Sequence, residues 1–348
     1  MELRNVGWDE MIRSELKRVA LLDTSIDSNN DGDQIIVRSV LEHFPELKSI
    51  PRIPTHRYFT KAETETARSQ DVLVVTGTNI LASRLWRDRQ WKFKLRHLRV
   101  MEGRVVLLGV GWRQYQGKLL RRTRWTLDRM LHENLPIAAR DQYTADKLLG
   151  EGYAAVNTGC PTMWHLPSQL PRLGSKEECV FTYTDYNPDP HRDRVVLEQL
   201  ASRYVAVHVW PQSEKDWRNL QQANLPANVY PLDRGVAALD RAIVDRDYVG
   251  TRLHAGIRAA QAGSAAMIIA VDNRALEISR DTGFPAVDRR LGLPEFKKRY
   301  QVVTEEPTTL RVPVAEVAEW TKQFRTLLGV QQSDEVATIA GETVRKCN

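Results

Sequence analysis

Residues 243–271 read IVDRDYVGTRLHAGIRAAQAGSAAMIIAV and carry the clearest structural signal in the chain. A stretch at 243–249 that contains isoleucine, two valines and a tyrosine leads into a glycine, an amphipathic stretch follows over 252–263, and apolar residues fill 266–271. This order predicts a strand, a helix and a second strand. Units of this kind build parallel sheets covered by helices, so the stretch predicts an α/β fold.

The same alternation runs through both halves of the chain. In the first half it predicts strands at 19–23, 71–76, 104–109, 137–139 and 154–157, and helices at 34–44, 80–97, 116–133 and 143–150. In the second half it predicts strands at 179–184, 204–210, 227–231, 243–249 and 266–271, and helices at 191–203, 213–222, 235–241, 252–263, 274–282 and 314–328. We therefore expect two doubly wound, Rossmann-like domains that face each other across a cleft, a GT-B-like arrangement.

The length of the chain also favours two domains. A chain of 348 residues with 42% hydrophobic content usually divides into more than one core. Residues 161–174 contain three prolines and predict a linker. We expect an N-terminal domain at 1–160, a linker at 161–175, a C-terminal domain at 176–328 and a polar tail at 329–348, to which no chemistry is assigned.

Composition narrows the expected location and cofactors. The longest apolar runs fall far short of the ~20 residues needed to span a bilayer. Residues 1–20 are too charged for a signal peptide, so we expect a cytoplasmic protein. The three cysteines form no CxxC pair and have no histidine at ligand spacing, which indicates neither a disulfide framework nor a metal site.

Positive charge is concentrated in two stretches. The net charge is +6, and residues 92–99 (KFKLRHLR) and 118–124 (KLLRRTR) both predict basic helix faces. Such faces are most often simply solvated, but they can also attract an anionic partner. An acidic glycan or a lipid-linked sugar at the inner face of the membrane remains open as a partner, whereas no motif supports nucleic acid. Peripheral membrane contact and the oligomeric state stay open as well.

The turns from strand to helix are where a ligand is expected. In open α/β sheets, ligands bind beyond the carboxyl ends of the strands, and helix N-termini favour anions. The turn after 243–249 places Arg252 and His254 at the start of a helix, with Arg258 one turn further along. A guanidinium binds phosphate or carboxylate, and an imidazole exchanges a proton near neutral pH. The alternative is a structural role in which Arg252 pairs with an acid such as Asp247.

A family resemblance favours the functional role. Residues 250–260 (GTRLHAGIRAA), followed by a strand and Asp272-Asn273-Arg274, resemble the G-x-R-x-H-A block and the downstream Asp-x-basic pattern of the polysaccharide pyruvyltransferase family. Similar blocks occur in the family's order at 30–33 (NDGD), 76–79 (TGTN), 109–112 (GVGW), 139–141 (ARD) and 158–162 (TGCPT). The resemblance therefore extends over most of the chain.

This resemblance implies a transferase without a cofactor, whose donor substrate is phosphoenolpyruvate. The donor would bind on the C-terminal side and be protonated at its methylene carbon, and two hydroxyls of a sugar or glycan on the N-terminal side would close a pyruvate ketal. The implied catalytic residues are His254 as acid and Asp33 and Asp141 as bases. The implied substrate-binding residues are Arg252, Arg258, Asn30, Gly32, Thr78, Asn79, Gly111, Trp112, Arg140, Thr184 and Arg192.

One segment departs from the family pattern. Family members often carry a serine and an arginine after the first strand of the second domain, whereas residues 180–188 read VFTYTDYNP and offer Thr184 with an acidic neighbour. A second phosphate-binding arginine would then come from Arg192 or Arg140. The turn at 76–79 differs too, because threonine occupies two positions where glycine is usual.

Two other functions fit the same pattern. A GT-B glycosyltransferase would bind the diphosphate of a nucleotide sugar at the same helix end, and a non-catalytic glycan-binding protein could keep the fold without the chemistry. His165 and His208 are alternative acids. A tryptophan could stack on a sugar ring, although core packing is the more common role; the candidates are Trp112, Trp164 and Trp210.

Overall fold

The computed structural model describes residues 16–88, 90–221 and 225–330. The strands are β1 (Val19–Asp23), β2 (Arg52–Pro54), β3 (Val72–Thr76), β4 (Val105–Leu108), β5 (Ile137–Ala139), β6 (Ala155–Asn157), β7 (Gln169–Leu170), β8 (Glu178–Thr182), β9 (Ala206–Val209), β10 (Val229–Pro231), β11 (Asp247–Gly250), β12 (Ala266–Ala270), β13 (Ala286–Asp288) and β14 (Thr308–Thr309). The helices are α1 (Asp31–His43), α2 (Lys61–Arg68), α3 (Leu85–Asp88), α4 (Leu95–Met101), α5 (Arg121–Met130), α6 (Gln142–Gly150), α7 (Pro190–Ala201), α8 (Glu214–Gln221), α9 (Val236–Ala242), α10 (Leu253–Gln261), α11 (Asn273–Thr282), α12 (Gly292–Glu305) and α13 (Val314–Leu328). Short 3₁₀ helices lie at Pro45–Leu47, Pro161–Met163 and Arg289–Leu291.

The first sheet is parallel and has the order β2-β1-β3-β4. A bridge between Val110 and Ala139 continues it into the parallel pair β5-β6. Every residue of β1, β3 and β4 is buried, because helices cover both faces of the sheet. This burial explains why these strands are continuous apolar runs rather than alternating ones.

The second sheet is also parallel, with the order β10-β9-β8-β11-β12-β13. The chain leaves β8 toward one edge and returns at β11 to build the other, so the strand order reverses between these two neighbours. Beside β8, a Cβ on Gly250 would lie 2.3 Å from Thr182 Oγ1, so only glycine fits there. A reversal of this kind creates the crevice in which α/β proteins bind ligands.

Helices join the two sheets. α1 of the first half contacts α9, α10 and the 3₁₀ helix Pro161–Met163. The closing helix α13 returns to the first half, where Val317, Trp320 and Phe324 pack in one core cluster with residues of β1, β3 and β4. The sequence pattern placed this helix in the C-terminal domain, and its apolar stripe is instead buried against the N-terminal sheet. The domain limits remain a prediction.

The structure differs from the predicted elements in several places. The helix expected at 80–97 is two short helices, α3 and α4, because Trp91 and Phe93 between them are buried in the core. The linker contains a 3₁₀ turn and β7, which pairs antiparallel with β14. Six of the described helices and strands were not predicted: α2, α12, the edge strands β2 and β13, and the short pair β7 and β14. Residues 331–348, most of the predicted tail, lie outside the described residues.

Candidate active site

The turn between β1 and α1 forms hydrogen bonds with the loop after β9. Asn30 caps α1, and its Oδ1 accepts hydrogen bonds from Gly32 N at 3.2 Å and from Gln212 Nε2 at 2.5 Å. Asp31 N donates to Gln212 O at 3.1 Å, and the Asp31 carboxylate accepts from Gly235 N at 3.1 Å. Gly32 lets the loop approach, since a Cβ there would lie 3.0 Å from Gln212 Nε2. Asn30 and Gly32 thus lie where the two halves meet.

Asp33, in the first turn of α1, is buried. Its Oδ2 accepts a hydrogen bond from Ser28 Oγ at 2.6 Å and lies 3.7 Å from His56 Nε2. This carboxylate raises the pKa of His56 despite the burial of the imidazole. Its charge also reaches Arg274 at the start of α11, where it favours the guanidinium cation. Asp33 is therefore a carboxylate that acts on groups of both halves.

The turn after β3 packs tightly on α1. Gly77 has φ +51° and Thr78 has φ +66°, and a Cβ on Gly77 would lie 2.3 Å from Ile36 Cγ2. Glycine therefore occupies the crowded position, whereas the β-branched Thr78 is held in a left-handed conformation that such residues rarely adopt. Within the described residues, Thr76 Oγ1 and Asn79 Oδ1 are buried and have no hydrogen-bond partner. Such atoms are rare in folded proteins and mark this turn as a place for a polar ligand.

Arg140, at the carboxyl end of β5, has the most unusual environment in the site. Its side chain is 1% exposed, and its Nε donates to Asp141 Oδ2 at 3.1 Å. Nη1 and Nη2 have no partner in the part of the chain that the structure describes. The guanidinium lies against Gly111, where a Cβ would be 2.1 Å from Arg140 Cζ. Gly111 thus makes room for two buried, unsatisfied donors.

The neighbours of Arg140 have structural partners. Asp141 caps α6, since its Oδ1 accepts from Thr144 N at 2.8 Å while its Oδ2 binds Arg140. Trp112 is fully buried, and its backbone N donates to Thr144 Oγ1 at 3.0 Å. Both oxygens of Asp141 are therefore in use, and Trp112 has no face open to a sugar.

Arg252 lies at the N-terminus of α10, as predicted, but acids surround it. Its Nε donates to Tyr183 O at 2.8 Å, and its Nη2 donates to Asp185 Oδ1 at 2.7 Å and to Asp216 Oδ2. Arg252 and Asp216 are both 3% exposed, so this is a buried ion pair. Asp247, the partner considered from sequence, instead accepts from Gly174 N and from Tyr204 Oη. The alternative of a paired Arg252 therefore describes this structure, with different acids.

A second arginine, Arg274, reaches the same region from the start of α11. It forms a bidentate pair with Asp272, with Nη2 at 2.6 Å from Oδ2, and its Nη2 also donates to Tyr186 Oη at 2.7 Å. Both Arg252 and Arg274 stack over the Tyr186 ring, each with Cζ at 5.3 Å from the centroid. Burial works against the Asp272 carboxylate, but Arg274 holds its pKa below the usual range. The Asp-x-basic pattern in the sequence contained the signal for Arg274, although it was not named as a site residue.

His254 is buried between these cationic groups. Its Nε2 lies 3.8 Å from Cys160 Sγ. Burial, reinforced by the charges of Arg274 and Arg140, lowers the pKa of His254 to about 3. The imidazole is therefore neutral at physiological pH while the site holds no anion. Nearby, Thr184 Oγ1 and Asn273 Oδ1 are buried without a hydrogen-bond partner among the described residues.

Other predicted residues lie elsewhere. Arg258 Nε donates to Asp240 Oδ1 at 2.8 Å on the far side of α10. Arg192 is half exposed and pairs with Asp189 at 3.2 Å. Of the alternative acids, His165 is exposed and His208 pairs with Glu178 near the amino end of β8; the remaining tryptophans, Trp164 and Trp210, are buried and donate to backbone carbonyls.

A cavity of about 310 Å³ lies beside the buried guanidinium. Arg140, Asn157, Asp281, Arg311 and Glu316 line it, so both halves contribute polar side chains. This volume suits a small polar ligand. Among residues 16–88, 90–221 and 225–330, no three His, Cys, Asp or Glu side chains cluster as metal ligands do. Over the same residues, no helix combines the length and the apolar content needed to cross a membrane.

The chain is similar to several solved structures at low sequence identity. UDP-GlcNAc 2-epimerase of Methanocaldococcus jannaschii, solved with UDP-GlcNAc and UDP, matches with a TM-score of 0.50 and 12% identity, over 89% of this chain and 98% of its own. The MnaA–UDP structure from S. aureus has a TM-score of 0.49 and 10% identity, over 92% of this chain and 98% of its own. HepE of Anabaena, solved with UDP and glucose, has a TM-score of 0.44 and 10% identity, over 94% of this chain and 100% of its own. The match to the epimerase and the parallel sheets confirm the predicted GT-B-like α/β fold.

Sequence comparison identifies the family. A search of curated proteins returns no match. A family model for polysaccharide pyruvyl transferases matches residues 30–273, which is more than half of the 348 residues. The match begins at the cap of α1 and ends at the start of α11, so it includes Arg140, His254 and Asp272. The protein is therefore a transferase that belongs to the polysaccharide pyruvyl transferase family.

Proposed function

We propose that this protein transfers the pyruvyl group of phosphoenolpyruvate to two hydroxyls of a sugar in a polysaccharide or its precursor, forming a pyruvate ketal and releasing phosphate. One observation carries the choice of an anionic donor: the Arg140 guanidinium is 1% exposed and leaves Nη1 and Nη2 unsatisfied among the described residues. Asp141 pairs with the guanidinium through Nε, but buried donors without acceptors are costly, and a phosphate or carboxylate would satisfy Nη1 and Nη2.

The donor is assigned to Arg140 and Arg274. Phosphoenolpyruvate carries a phosphate and a carboxylate, and the charges of both arginines converge on His254. The sequence suggested Arg252 as the anion ligand, but two carboxylates, Asp185 and Asp216, already bind it. Among the described residues, Arg274 by contrast pairs with one carboxylate, that of Asp272. We assign Arg252 to holding the loop that carries Tyr183 and Asp185. Of the two arginines named as substitutes, the buried Arg140 fits an anion site, and the half-exposed Arg192 is paired outside it.

His254 is assigned to proton transfer. In the empty site its pKa is about 3, because it is buried beside two cations. Burial is the main cause of this low pKa, and the two cations add to it. An anion bound beside His254 acts in the opposite direction, so donor binding should shift the imidazole toward the imidazolium. A proton held there can pass to the methylene carbon or to the leaving phosphate.

The acceptor hydroxyls are assigned to the α1 side of the cleft. Asp33 is buried and has one short hydrogen bond, from Ser28 Oγ, so it retains capacity to accept a proton. Asp141 caps α6 with one oxygen and binds Arg140 with the other, and we assign it to orienting Arg140. Thr76 Oγ1 and Asn79 Oδ1 offer hydrogen bonds to a sugar from the neighbouring turn.

The reaction balances with these groups alone. The methylene carbon gains a proton, which leaves a cationic carbon stabilised by its ester oxygen. The first sugar hydroxyl attacks this carbon and gives up its proton. The second hydroxyl displaces the phosphate and also gives up its proton. The two hydroxyls together release two protons, which balance the one added to the methylene carbon and the one taken up by the phosphate. The products are one pyruvate ketal and one inorganic phosphate.

Ligand-induced thermal stabilisation tests the donor. Phosphoenolpyruvate at about 100 times its Kd should add about 2.7 kcal/mol to the free energy of unfolding. Arg140→Met should abolish the increase, Arg140→Lys should retain part of it, and Arg192→Met, the control, should retain all of it. Stabilisation of the wild type by UDP-GlcNAc alone would instead indicate a glycosyltransferase. Stabilisation by neither donor would indicate a glycan-binding protein without this activity.

A further inference from the structure

Helices α4 and α5 lie side by side on one face of the first sheet and run in the same direction. Gly103 N donates to Arg129 O at 2.9 Å where both helices end. At the other end, Leu120 N donates to Ser83 O at 3.1 Å, just beyond the carboxyl end of β3. Their first turns therefore lie at the carboxyl edge of the sheet, which is also the edge that carries the candidate active site.

The outer surface of this pair is strongly cationic. We call it the basic face, and its cations are Lys92, Lys94, Arg96, Arg99, Lys118, Arg121 and Arg122. None of these has a carboxylate within ion-pair distance in residues 16–88, 90–221 or 225–330. The acids nearby are already engaged: Glu102 pairs with Arg129, and Glu151 pairs with Arg124. Asp128 accepts a hydrogen bond from Tyr153 Oη. The face therefore keeps a positive charge that the chain does not neutralise.

Large apolar side chains stand among these cations. Leu95 is 54% exposed, Leu120 is 52% exposed and Trp125 is 46% exposed. Cations alone would suit any polyanion, but a phosphate backbone or an acidic glycan offers nothing to an exposed leucine. A lipid headgroup layer offers both phosphates and an apolar interior, and tryptophan favours that interface. The combination selects a bilayer over the other anionic partners.

We propose that the basic face binds a bilayer that contains anionic lipid. Its cations would lie against the lipid phosphates, and Leu95, Leu120 and Trp125 would enter the boundary between headgroups and acyl chains. The bilayer would then lie beside the edge that carries the active site. This proposal does not depend on which donor the site binds.

Co-sedimentation with vesicles tests the proposal. The full-length protein should sediment with vesicles of equal parts phosphatidylcholine and phosphatidylglycerol, but not with phosphatidylcholine alone, and added salt should weaken binding. The triple variant Lys94→Gln, Arg96→Gln, Arg121→Gln should bind about 100-fold more weakly, at roughly fivefold per charge. The variant Leu95→Ser, Trp125→Ser should also bind more weakly, although its charge is unchanged.

The control removes equal charge elsewhere. Lys297, Lys298 and Lys322 are exposed on α12 and α13, and their replacement by glutamine should leave vesicle binding unchanged. Equal loss in the two triple variants would overturn the proposal, because net charge alone would then explain binding. The proposal would also fail if the Leu95→Ser, Trp125→Ser variant kept full vesicle binding and the wild type bound duplex DNA as tightly as vesicles. The basic face would then be a general polyanion site. Failure of the wild type to bind anionic vesicles would also refute the proposal.

Discussion

Replacing Gly111 with alanine should impair donor binding without removing any charged group. A Cβ at this position would lie 2.1 Å from Cζ and 2.2 Å from Nη2 of Arg140. Carbon atoms in contact stay about 3.5–4 Å apart, so the guanidinium must move by more than about 1 Å. Arg140 is buried and its Nε is bonded to Asp141, so the movement would re-aim Nη1 and Nη2, the two atoms assigned to the donor.

The expected loss follows from the size of that displacement. A group misplaced by about 1 Å can cost about 100-fold in rate. Loss of one hydrogen bond to a charged group costs about 1.5–3 kcal/mol, which corresponds to about 10- to 150-fold in affinity. We therefore expect the Gly111→Ala variant to bind phosphoenolpyruvate about 10- to 100-fold more weakly, which lies within these estimates. Overpacking should also cost about 1–3 kcal/mol of stability, which urea denaturation would measure.

Isothermal titration calorimetry with phosphoenolpyruvate is the assay. Gly150→Ala is the matched control, because an added Cβ there meets no atom within 4 Å. The control should bind the donor like the wild type. If Gly111→Ala folds and binds phosphoenolpyruvate with wild-type affinity, the assignment of Arg140 as the donor ligand is wrong.

Three further predictions concern His254 and Arg252. Donor binding near pH 7 should take up as much as one proton, measured by calorimetry in buffers of different ionisation enthalpy, and His254→Asn should abolish this uptake because it removes the group whose pKa the anion raises. Without ligand, the pKa of His254 is lowered from 6.5 to about 3, so below pH 6.5 the unfolded chain binds a proton that the folded chain does not. The free energy of unfolding of the wild type should therefore decrease as pH falls from about 6.5 to about 4. This decrease should be steeper than that of His254→Asn by up to about 1.4 kcal/mol per pH unit. Arg252→Met should lower the free energy of unfolding by about 3–5 kcal/mol in urea denaturation, because it leaves the buried Asp216 without its cation.

Each of these predictions has a result that contradicts it. Proton uptake that persists in His254→Asn would place the titrating group elsewhere. Parallel stability–pH curves for wild type and His254→Asn would mean that the imidazole is not held neutral by the fold. Arg258→Met removes a more exposed ion pair and should cost less than about 1 kcal/mol. If Arg252→Met costs no more than this control, the buried pair does not stabilise the loop.

The parallel sheets were predictable because local signals agree along the strands. In residues 243–271, a stretch with isoleucine, valines and a tyrosine, a glycine and an amphipathic stretch all favour one strand–helix–strand unit, and β11, α10 and β12 occur there. Elements without such agreement were missed. The edge strand β2 is only Arg52–Pro54, and α12 has a proline in its first turn. The helix predicted at 80–97 failed because its pattern could not show that Trp91 and Phe93 leave the helix to enter the core.

The sequence predicted which turns carry the site residues, but not which residues form ion pairs and hydrogen bonds with them. The sequence placed Arg252, His254 and Asp33 at strand ends, and the structure places them there. It could not show that Asp185 and Asp216, distant in sequence, neutralise Arg252. The assignment of Arg140 as an anion ligand depends on its two guanidinium nitrogens that lack partners among the described residues. This arrangement results from packing against Gly111, which a sequence pattern does not show.

Whether phosphoenolpyruvate is the donor can be tested by following both products of the proposed reaction. Purified protein is incubated with phosphoenolpyruvate and a pool of bacterial glycan precursors, phosphorus NMR follows the donor, and mass spectrometry follows the glycans. We expect inorganic phosphate to appear in step with a glycan that has gained one pyruvate ketal, and we expect Arg140→Met to form neither product. Unchanged phosphoenolpyruvate, with UDP released when a UDP-sugar replaces it, would show that the donor is wrong and would assign the protein to glycosyl transfer.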